Sequence, residues 1–194
     1  ASDTNGNFDM RQLFQGTLVE NDPWHAVTFV DNHDTEPGQS LESFVLSWFK
    51  PLAYALILLR IDGLPCVFYG DLYGIPAKNV PAVAELPTLM KIRELYAYGE
   101  QHDYFDNPDI IGWTRSGSDE FSGSGLAVVL SNRCGGSKRM YIGTNHSGKE
   151  FRDILGNCIN TVMIDEDGCG EFSCTDGSVS VWLEKTLEVK VSLD

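Results

Sequence analysis

The sequence predicts an α/β segment followed by an all-β domain, and two observations support this prediction. Over the first hundred residues, apolar strand-like runs alternate with segments of helical period, as in units built from a strand and a helix. From about Ile110 onward, short strand-like runs recur between turn sequences such as NRCGGSK and NHSGK. We therefore expect parallel strands within residues 1–101 and an antiparallel β-sandwich or Greek-key domain in residues 102–194.

The first predicted strand lies in residues 26–34, AVTFVDNHD. Its apolar run has no alternating polar position, which is typical of a parallel strand buried on both faces. The run ends at Asn32, His33 and Asp34, which supply an amide, an imidazole and a carboxylate. Because ligands bind at the carboxyl ends of strands in α/β folds, we expect these side chains to bind or react with a substrate. A turn in which Asp34 only caps the backbone is the alternative that spacing leaves open.

The rest of the first half continues the alternation of helix and strand. Helical period begins at Leu41 and resumes beyond Pro51, where proline indicates a break or a kink. Residues 64–69 predict a second strand, and residues 83–98 predict a further amphipathic helix. Two strand–helix units in succession imply parallel pairing. Since two parallel strands make a poor free-standing sheet, this half resembles the last part of a larger α/β domain.

The second half is predicted to be a series of short antiparallel strands. The strand-like runs, in order, are IIGWTR, LAVVL, RMYIG, KEFRDI, TVMI, GEFSC and VSVWL. The tail TLEVKVSL alternates strictly between apolar and polar residues, which fits another strand with one buried face.

Charge and composition exclude several classes of partner and site. The chain has 28 acidic and 14 basic residues and a net charge of -14, which disfavours contact with the phosphates of a nucleic acid. No apolar run approaches the length of a membrane span, so we expect no membrane contact. Five cysteines without a CxxC pair indicate neither a disulfide framework nor a zinc site.

Several segments, in this order, resemble the alpha-amylase family of glycoside hydrolases. FVDNHD resembles the short signature at the end of the seventh barrel strand, and GLPCVFYGD resembles the eighth-strand segment. SFVLSWFKPLAYALILLR, YAYGEQHDYFDNPDIIGWTR and GSVSVWL resemble the liquefying bacterial-type alpha-amylases. The likeness runs from Gly6 to about Leu183, and we identify no resemblance for the tail from Glu184 onward.

The resemblance implies a fold and an activity for the protein to which this chain belongs. The fold would be the last two strand–helix units of a (β/α)8 TIM barrel followed by an antiparallel Greek-key β-sandwich domain. The activity would be hydrolysis of internal α-1,4-glucosidic bonds of starch or glycogen with retention of configuration. Asp34 matches the third carboxylate, which stabilises the transition state, and His33 matches a histidine that binds the same sugar ring.

The same resemblance implies that the site is incomplete within these 194 residues. The nucleophile and the acid/base belong to barrel strands that this chain lacks, so we expect the isolated chain to be inactive. The expected partners are a starch-like α-glucan and the missing N-terminal part of the barrel, in a full-length monomer. The sequence is compatible with either a secreted or a cytoplasmic protein.

A calcium site is also implied by the resemblance. Its ligands would be the carbonyl oxygens of Gly6, Phe8 and Pro108 and the side chains of Asp109 and Asn132. Carbonyl and carboxylate oxygens are the ligands that calcium prefers. The family usually has an aspartate at the position of Asn132, so this chain has one negative charge fewer. Asp109 and Asn132 as simple turn residues are the alternative.

Two other functional classes fit parts of the sequence. A non-catalytic module that binds carbohydrate or calcium is compatible with the β-domain alone. A metallophosphoesterase-like hydrolase is compatible with DNHD, but it needs further clusters of metal ligands. The remaining histidines, His25, His102 and His146, stand apart in the sequence, which argues against that class.

Overall fold

A computed structural model describes residues 7–187 of the chain. The α-helices are α1 (Leu18–Asn21), α2 (Lys50–Leu59), α3 (Tyr69–Tyr73) and α4 (Leu86–Tyr96). Short 3-10 turns lie at Met10–Gln12, Ser47–Phe49, Pro76–Lys78 and Thr144–His146. The strands are β1 (Val27–Phe29), β2 (Leu64–Cys66), β3 (Gln101–Tyr104), β4 (Ile110–Arg115), β5 (Leu126–Ser131), β6 (Gly136–Tyr141), β7 (Glu150–Asp153), β8 (Thr161–Met163), β9 (Cys169–Cys174) and β10 (Val179–Glu184). Within residues 7–187, no helix is long and apolar enough to cross a membrane.

Strands β1 and β2 form a parallel pair, with α2 in the connection between them. Val27 is opposite Leu64 and Phe29 is opposite Cys66. The prediction that β1 is buried on both faces is wrong, because the side chains of Val27 and Phe29 leave 58% and 54% of their surface exposed. In the described part of the chain β1 pairs with β2 alone. The described residues therefore contain one parallel pair of strands and do not show the predicted barrel.

The prediction of a helix that begins near Leu41 is also wrong. Residues 42–46 form no helix, and only the 3-10 turn Ser47–Phe49 precedes α2. Pro51 neither breaks nor kinks a helix, since it lies in the first turn of α2. Proline is accommodated there because the first backbone N–H groups of a helix have no partner within the helix.

The predicted antiparallel β-domain is confirmed, and it has two sheets. Six strands pair in the order β3-β4-β5-β10-β7-β8, and β6 pairs with β9 in a second sheet. All of these pairs are antiparallel. Strand β10 lies between β5 and β7 in the larger sheet. The chain therefore passes from β9 in the smaller sheet to β10 in the larger one. The polar strand β3, with sequence QHDY, was not predicted.

The central strands of the larger sheet are buried on both faces, which explains the continuous apolar run LAVVL. Leu126, Val128 and Leu130 of β5 pack in one core with α2 and α4. Ala127 and Val129 pack in a second core with β6 and β9. The helices, the six-stranded sheet and the two-stranded sheet therefore form three layers.

Contacts at the edge of the first core join the two halves of the chain. The buried Trp113 of β4 donates its indole N–H to the carbonyl of Leu59 at 3.4 Å. Arg60 pairs with Asp103 of β3 at 2.5 Å, and its guanidinium lies over the ring of Phe14 at 4.7 Å from the centroid. The end of α2 is thereby fixed against the antiparallel sheet.

His146 is a buried histidine that favours its neutral form. Its Nε2 atom lies 3.0 Å from the carbonyl oxygen of Ser116, and its buried Nδ1 atom has no hydrogen-bond partner among the described residues. Burial lowers the pKa of His146, and Lys149 lowers it further, while the Ser116 carbonyl and Glu184 act in the opposite direction. A proton on the ring would leave a charged and unsatisfied N–H group in the core.

This arrangement predicts a pH dependence of stability. The free energy of unfolding is expected to fall as pH drops below about 6.5. In that range His146 binds a proton in the unfolded chain but stays neutral in the folded one. A His146→Gln variant should show a shallower loss of melting temperature between about pH 7 and pH 5. His25→Gln is the matched control, because His25 is exposed and pairs with Asp22 on the surface. Parallel pH profiles for His146→Gln and the wild type would contradict the prediction.

Candidate functional site

The loop that follows β1 presents His33 and Asp34 to solvent. Their side chains are 84% and 62% exposed, and His33 Nε2 lies 3.4 Å from Asp34 Oδ1. The Asn32 side chain shapes this turn, because its Oδ1 atom accepts hydrogen bonds from the backbone N–H groups of Asp34 (2.9 Å) and Thr35 (3.1 Å). The amide is therefore used for local structure, whereas the imidazole and the carboxylate remain accessible. Such a pair can donate and accept hydrogen bonds with neighbouring hydroxyl groups of a sugar.

A buried ion triad includes Asp31 at the start of this loop, and sequence reasoning missed it. Lys50 Nζ lies 2.7 Å from Asp31 Oδ2 and also pairs with Asp71 Oδ1, and all three residues are buried. Tyr54, one turn along α2 from Lys50, donates its hydroxyl to Asp71 Oδ2 at 2.7 Å. Asp31 follows β1 and Asp71 lies in α3, which follows β2. We call Asp31, Lys50 and Asp71 the strand-end triad.

The buried charges of the triad stabilise one another, because the Lys50 ammonium group pairs with both carboxylates. Burial lowers the pKa of Lys50, but its hydrogen bonds to Asp31 and Asp71 outweigh this effect and raise the pKa above the ordinary value. Burial and the neighbouring Asp71 carboxylate raise the pKa of Tyr54, so its hydroxyl stays a neutral donor. The triad contains two carboxylates and one ammonium group, and the Tyr54 hydroxyl adds a hydrogen bond to the second carboxylate.

The triad had a signal in the sequence. A lysine opens the apolar helix KPLAYALILL, and single aspartates end the apolar runs AVTFVD and GLPCVFYGD. A lone charge attached to an apolar segment is buried only when it is paired. Pairing between residues 31, 50 and 71 requires the parallel alignment of β1 and β2, which spacing alone does not specify.

Two further contacts fix the same loop. The backbone N–H of Ser43 donates to the carbonyl of Thr35 at 3.0 Å, which closes the loop on itself. Lys78 Nζ lies 2.5 Å from Glu36 Oε1 and ties the loop to the 3-10 turn after α3. That hydrogen bond, together with one from Gln39, lowers the pKa of Glu36. The segment that carries Asp34 is thus attached to the segment that follows β2.

Four of the five predicted calcium ligands come together between the first 3-10 turn and the antiparallel sheet. Asn132 Nδ2 donates to the Phe8 carbonyl at 2.7 Å, and the Asn132 N–H donates to the Asp109 carbonyl at 3.2 Å. The Pro108 carbonyl accepts from the N–H of Met10 at 2.7 Å. The fifth predicted ligand, Gly6, lies outside the described residues.

The chemistry of this cluster fits a cation with oxygen ligands. Asn132 is buried, and its Oδ1 atom has no hydrogen-bond partner in the described part of the chain. Asp109 adds a half-exposed carboxylate, 3.8 Å from Arg133. The amide nitrogen of Asn132 faces the Phe8 carbonyl, so Asn132 would have to turn its amide for Oδ1 to become a ligand. Residues 7–187 contain no group of three or more His, Cys, Asp or Glu side chains that could hold a metal, so the metallophosphoesterase alternative gains no support.

Comparisons with known proteins find similarity to bacterial alpha-amylases. Residues 126–183 match the family model described as Alpha-amylase C-terminal. The chain is 56% identical to an alpha-amylase of Geobacillus stearothermophilus, covering 97% of this chain and 35% of that protein. It is 54% identical to a glucan 1,4-alpha-maltohexaosidase of Bacillus sp. (strain 707), covering 95% and 36%. It is 48% identical to a cytoplasmic alpha-amylase of Escherichia coli (strain K12), covering 94% and 39%.

Solved structures support the same fold. An alpha-amylase from Geobacillus thermoleovorans, complexed with acarbose, has a TM-score of 0.53 and 18% sequence identity, covering 82% of this chain and 39% of that chain. The chain spans between 35% and 39% of the length of the curated relatives named above. The chain is therefore homologous, over nearly its whole length, to the C-terminal part of bacterial alpha-amylases, and its residues 126–183 match the alpha-amylase C-terminal family.

Proposed function

We propose that this chain is the C-terminal portion of an alpha-amylase that hydrolyses internal α-1,4-glucosidic bonds of starch or glycogen with retention of configuration. The observation that carries the proposal is the exposed His33–Asp34 pair at the carboxyl end of β1, in a chain 48–56% identical to bacterial alpha-amylases. Residues 1–101 would supply the last two strand–helix units of a (β/α)8 barrel. Residues 102–194 would form the antiparallel β-domain.

In this proposal Asp34 and His33 act on the sugar ring at the scissile bond. A retaining glycosidase uses one carboxylate as nucleophile and a second as acid/base, and its transition state resembles an oxocarbenium ion. Asp34 would accept hydrogen bonds from the ring hydroxyls and favour the distorted, positively charged transition state. His33, 3.4 Å away, would donate to the same ring. Contacts of this kind raise the rate because they are stronger in the transition state than in the bound substrate.

The nucleophile and the acid/base would come from the missing N-terminal part of the barrel. That part of the barrel would pack against β1, where Val27 and Phe29 are more than half exposed. Exposed apolar side chains on an unpaired strand edge are expected to bind another strand. The isolated chain would be inactive, and the full-length protein would be a monomer with the barrel closed within one chain.

The proposal includes calcium as a structural cofactor. The residues that would hold it are Phe8 and Pro108 through their carbonyls, Asp109 through its carboxylate and Asn132 through its side-chain oxygen, together with Gly6. Among the described residues, Phe8 precedes the first 3-10 turn, Pro108 and Asp109 lie in the loop between β3 and β4, and Asn132 directly follows β5. A bound calcium ion would join these three segments, and no step of the hydrolysis is assigned to it.

Product analysis of the full-length protein tests this function. With soluble starch, viscosity should fall faster than reducing ends appear, and the first products should be α-anomers by NMR. Residues 1–194 expressed alone serve as the matched control and should release no sugar. A full-length protein that binds starch without cleaving it would instead support the non-catalytic carbohydrate-binding alternative. Initial β-anomers would contradict the retaining mechanism.

A further inference from the structure

We propose that the strand-end triad positions the loop that carries His33 and Asp34, and that it therefore acts on catalysis through Asp34. This inference rests on the proposed function. The three residues of the triad are buried, whereas His33 and Asp34 are exposed, so the triad residues are positioning residues rather than catalytic ones. Their proposed role differs from stability alone, because it couples them to one particular side chain.

Asp31 connects the two ends of the loop. Its Oδ1 atom accepts a hydrogen bond from the backbone N–H of Val45 at 3.0 Å, and its Oδ2 atom binds Lys50 Nζ at 2.7 Å. Both ends of the loop formed by residues 32–44 are therefore attached to one buried carboxylate. Asp34 is only three residues from Asp31, and the Asn32 turn between them leaves little freedom to absorb a shift. Displacement of Asp31 should consequently move the Asp34 carboxylate.

Lys50 links Asp31, which follows β1, to α3, which follows β2. Its ammonium group also pairs with Asp71 of α3, which Tyr54 holds from the other side. The loop after β1 and the helix after β2 are thus joined through one buried cation. In catalysis, displacement of a reacting group by about 1 Å can lower the rate by about a hundredfold, so a support of this kind affects kcat.

The experiment is a double-mutant cycle in the full-length protein. The triad variant combines Asp31→Asn, Lys50→Met and Asp71→Asn, which removes all three charges together and leaves no buried charge unpaired. In the wild-type background this variant should lower kcat on soluble starch about tenfold or more. In the Asp34→Asn background the same variant should lower kcat by less than about twofold, because residues that act as a unit are not additive. Equal factors in the two backgrounds would overturn the proposal.

Asp103→Asn is the matched control for lost stability. It breaks the pair between Asp103 and the buried Arg60, at the end of α2 that lies away from Lys50. Its effect on kcat, measured at a temperature where all variants are folded, should be small and equal in both Asp34 backgrounds. Coupling of Asp103→Asn to Asp34 as strong as that of the triad would show that the cycle reports only stability, and would overturn the proposal.

A second readout separates this inference from the proposed function. Hydrogen exchange of the backbone N–H groups of Asp34, Thr35 and Val45 should accelerate in the triad variant and stay unchanged in Asp103→Asn. Unchanged exchange in the triad variant would overturn positioning whether or not the protein is an amylase. If the triad variant does not fold, Lys50→Arg replaces it. Arginine keeps the charge but changes the geometry, so a smaller loss of kcat, again confined to the background with Asp34, is expected.

Discussion

Replacement of Asp34 by asparagine in the full-length protein is expected to lower kcat on starch by about a hundredfold to a thousandfold, the usual cost of removing one group that stabilises transition-state charge. The change keeps the shape of the side chain and removes its negative charge. The turn itself should persist, because it depends on the Asn32 side chain and the backbone N–H of residue 34. KM should change much less than kcat, since the lost interaction belongs to the transition state.

Asp22→Asn provides a matched control for this experiment. Asp22 and His25 form another exposed aspartate–histidine pair, with His25 Nδ1 2.8 Å from Asp22 Oδ2. This pair precedes β1, at the end of the strand opposite to Asp34. The control removes the same charge from the same kind of pair, and kcat should stay near the wild-type value. An Asp34→Asn enzyme with kcat within about twofold of the wild type would refute the role proposed for Asp34.

The strands of the β-domain were predictable because their pattern reflects burial. LAVVL of β5 faces a core on each side, and VSVWL of β10 does the same. Strand β3 was missed because its sequence QHDY carries little apolar signal. It is held by backbone pairing to β4 and by the ion pair between Arg60 and Asp103, which are 43 residues apart. The ion pair joins distant parts of the chain, so local sequence does not encode it.

The error near Leu41 has a different cause. Apolar spacing predicts which residues share a helix face only when a helix exists. Here Leu41 is largely exposed, and the segment is held in a loop by the hydrogen bonds of Val45 to Asp31 and of Ser43 to Thr35. These side-chain and loop contacts override the local helical preference.

Sequence reasoning found the exposed part of the candidate site and missed its buried support. His33 and Asp34 were identified because polar residues at the end of an apolar strand are conspicuous. The strand-end triad depends on alignment of three segments that are 19 and 21 residues apart in the chain. Only the parallel register of β1 and β2 brings their ends together. Long-range pairing of this kind is a property of the fold.

Replacement of Asn132 by aspartate is expected to make stability strongly dependent on calcium. Without calcium the variant should be less stable than the wild type, by about 1–3 kcal/mol, because the hydrogen bond from Asn132 Nδ2 to the Phe8 carbonyl is lost and a carboxylate is buried in its place. With calcium the added charge and oxygen should reverse the order. Calcium at a hundred times its Kd would stabilise the variant by about 2.7 kcal/mol.

Two controls assign this effect to the cluster of Phe8, Pro108, Asp109 and Asn132. Asn145→Asp adds the same charge at an exposed asparagine whose Nδ2 also donates to a backbone carbonyl, that of Ser116, and it should give no response to calcium. Magnesium should replace calcium poorly, because it requires shorter and more regular octahedral ligation. Thermal unfolding of the full-length protein with chelator, calcium or magnesium gives the comparison. If Asn132→Asp and the wild type respond equally to calcium, residue 132 is not a ligand. The Phe8–Asn132 hydrogen bond would then be purely structural.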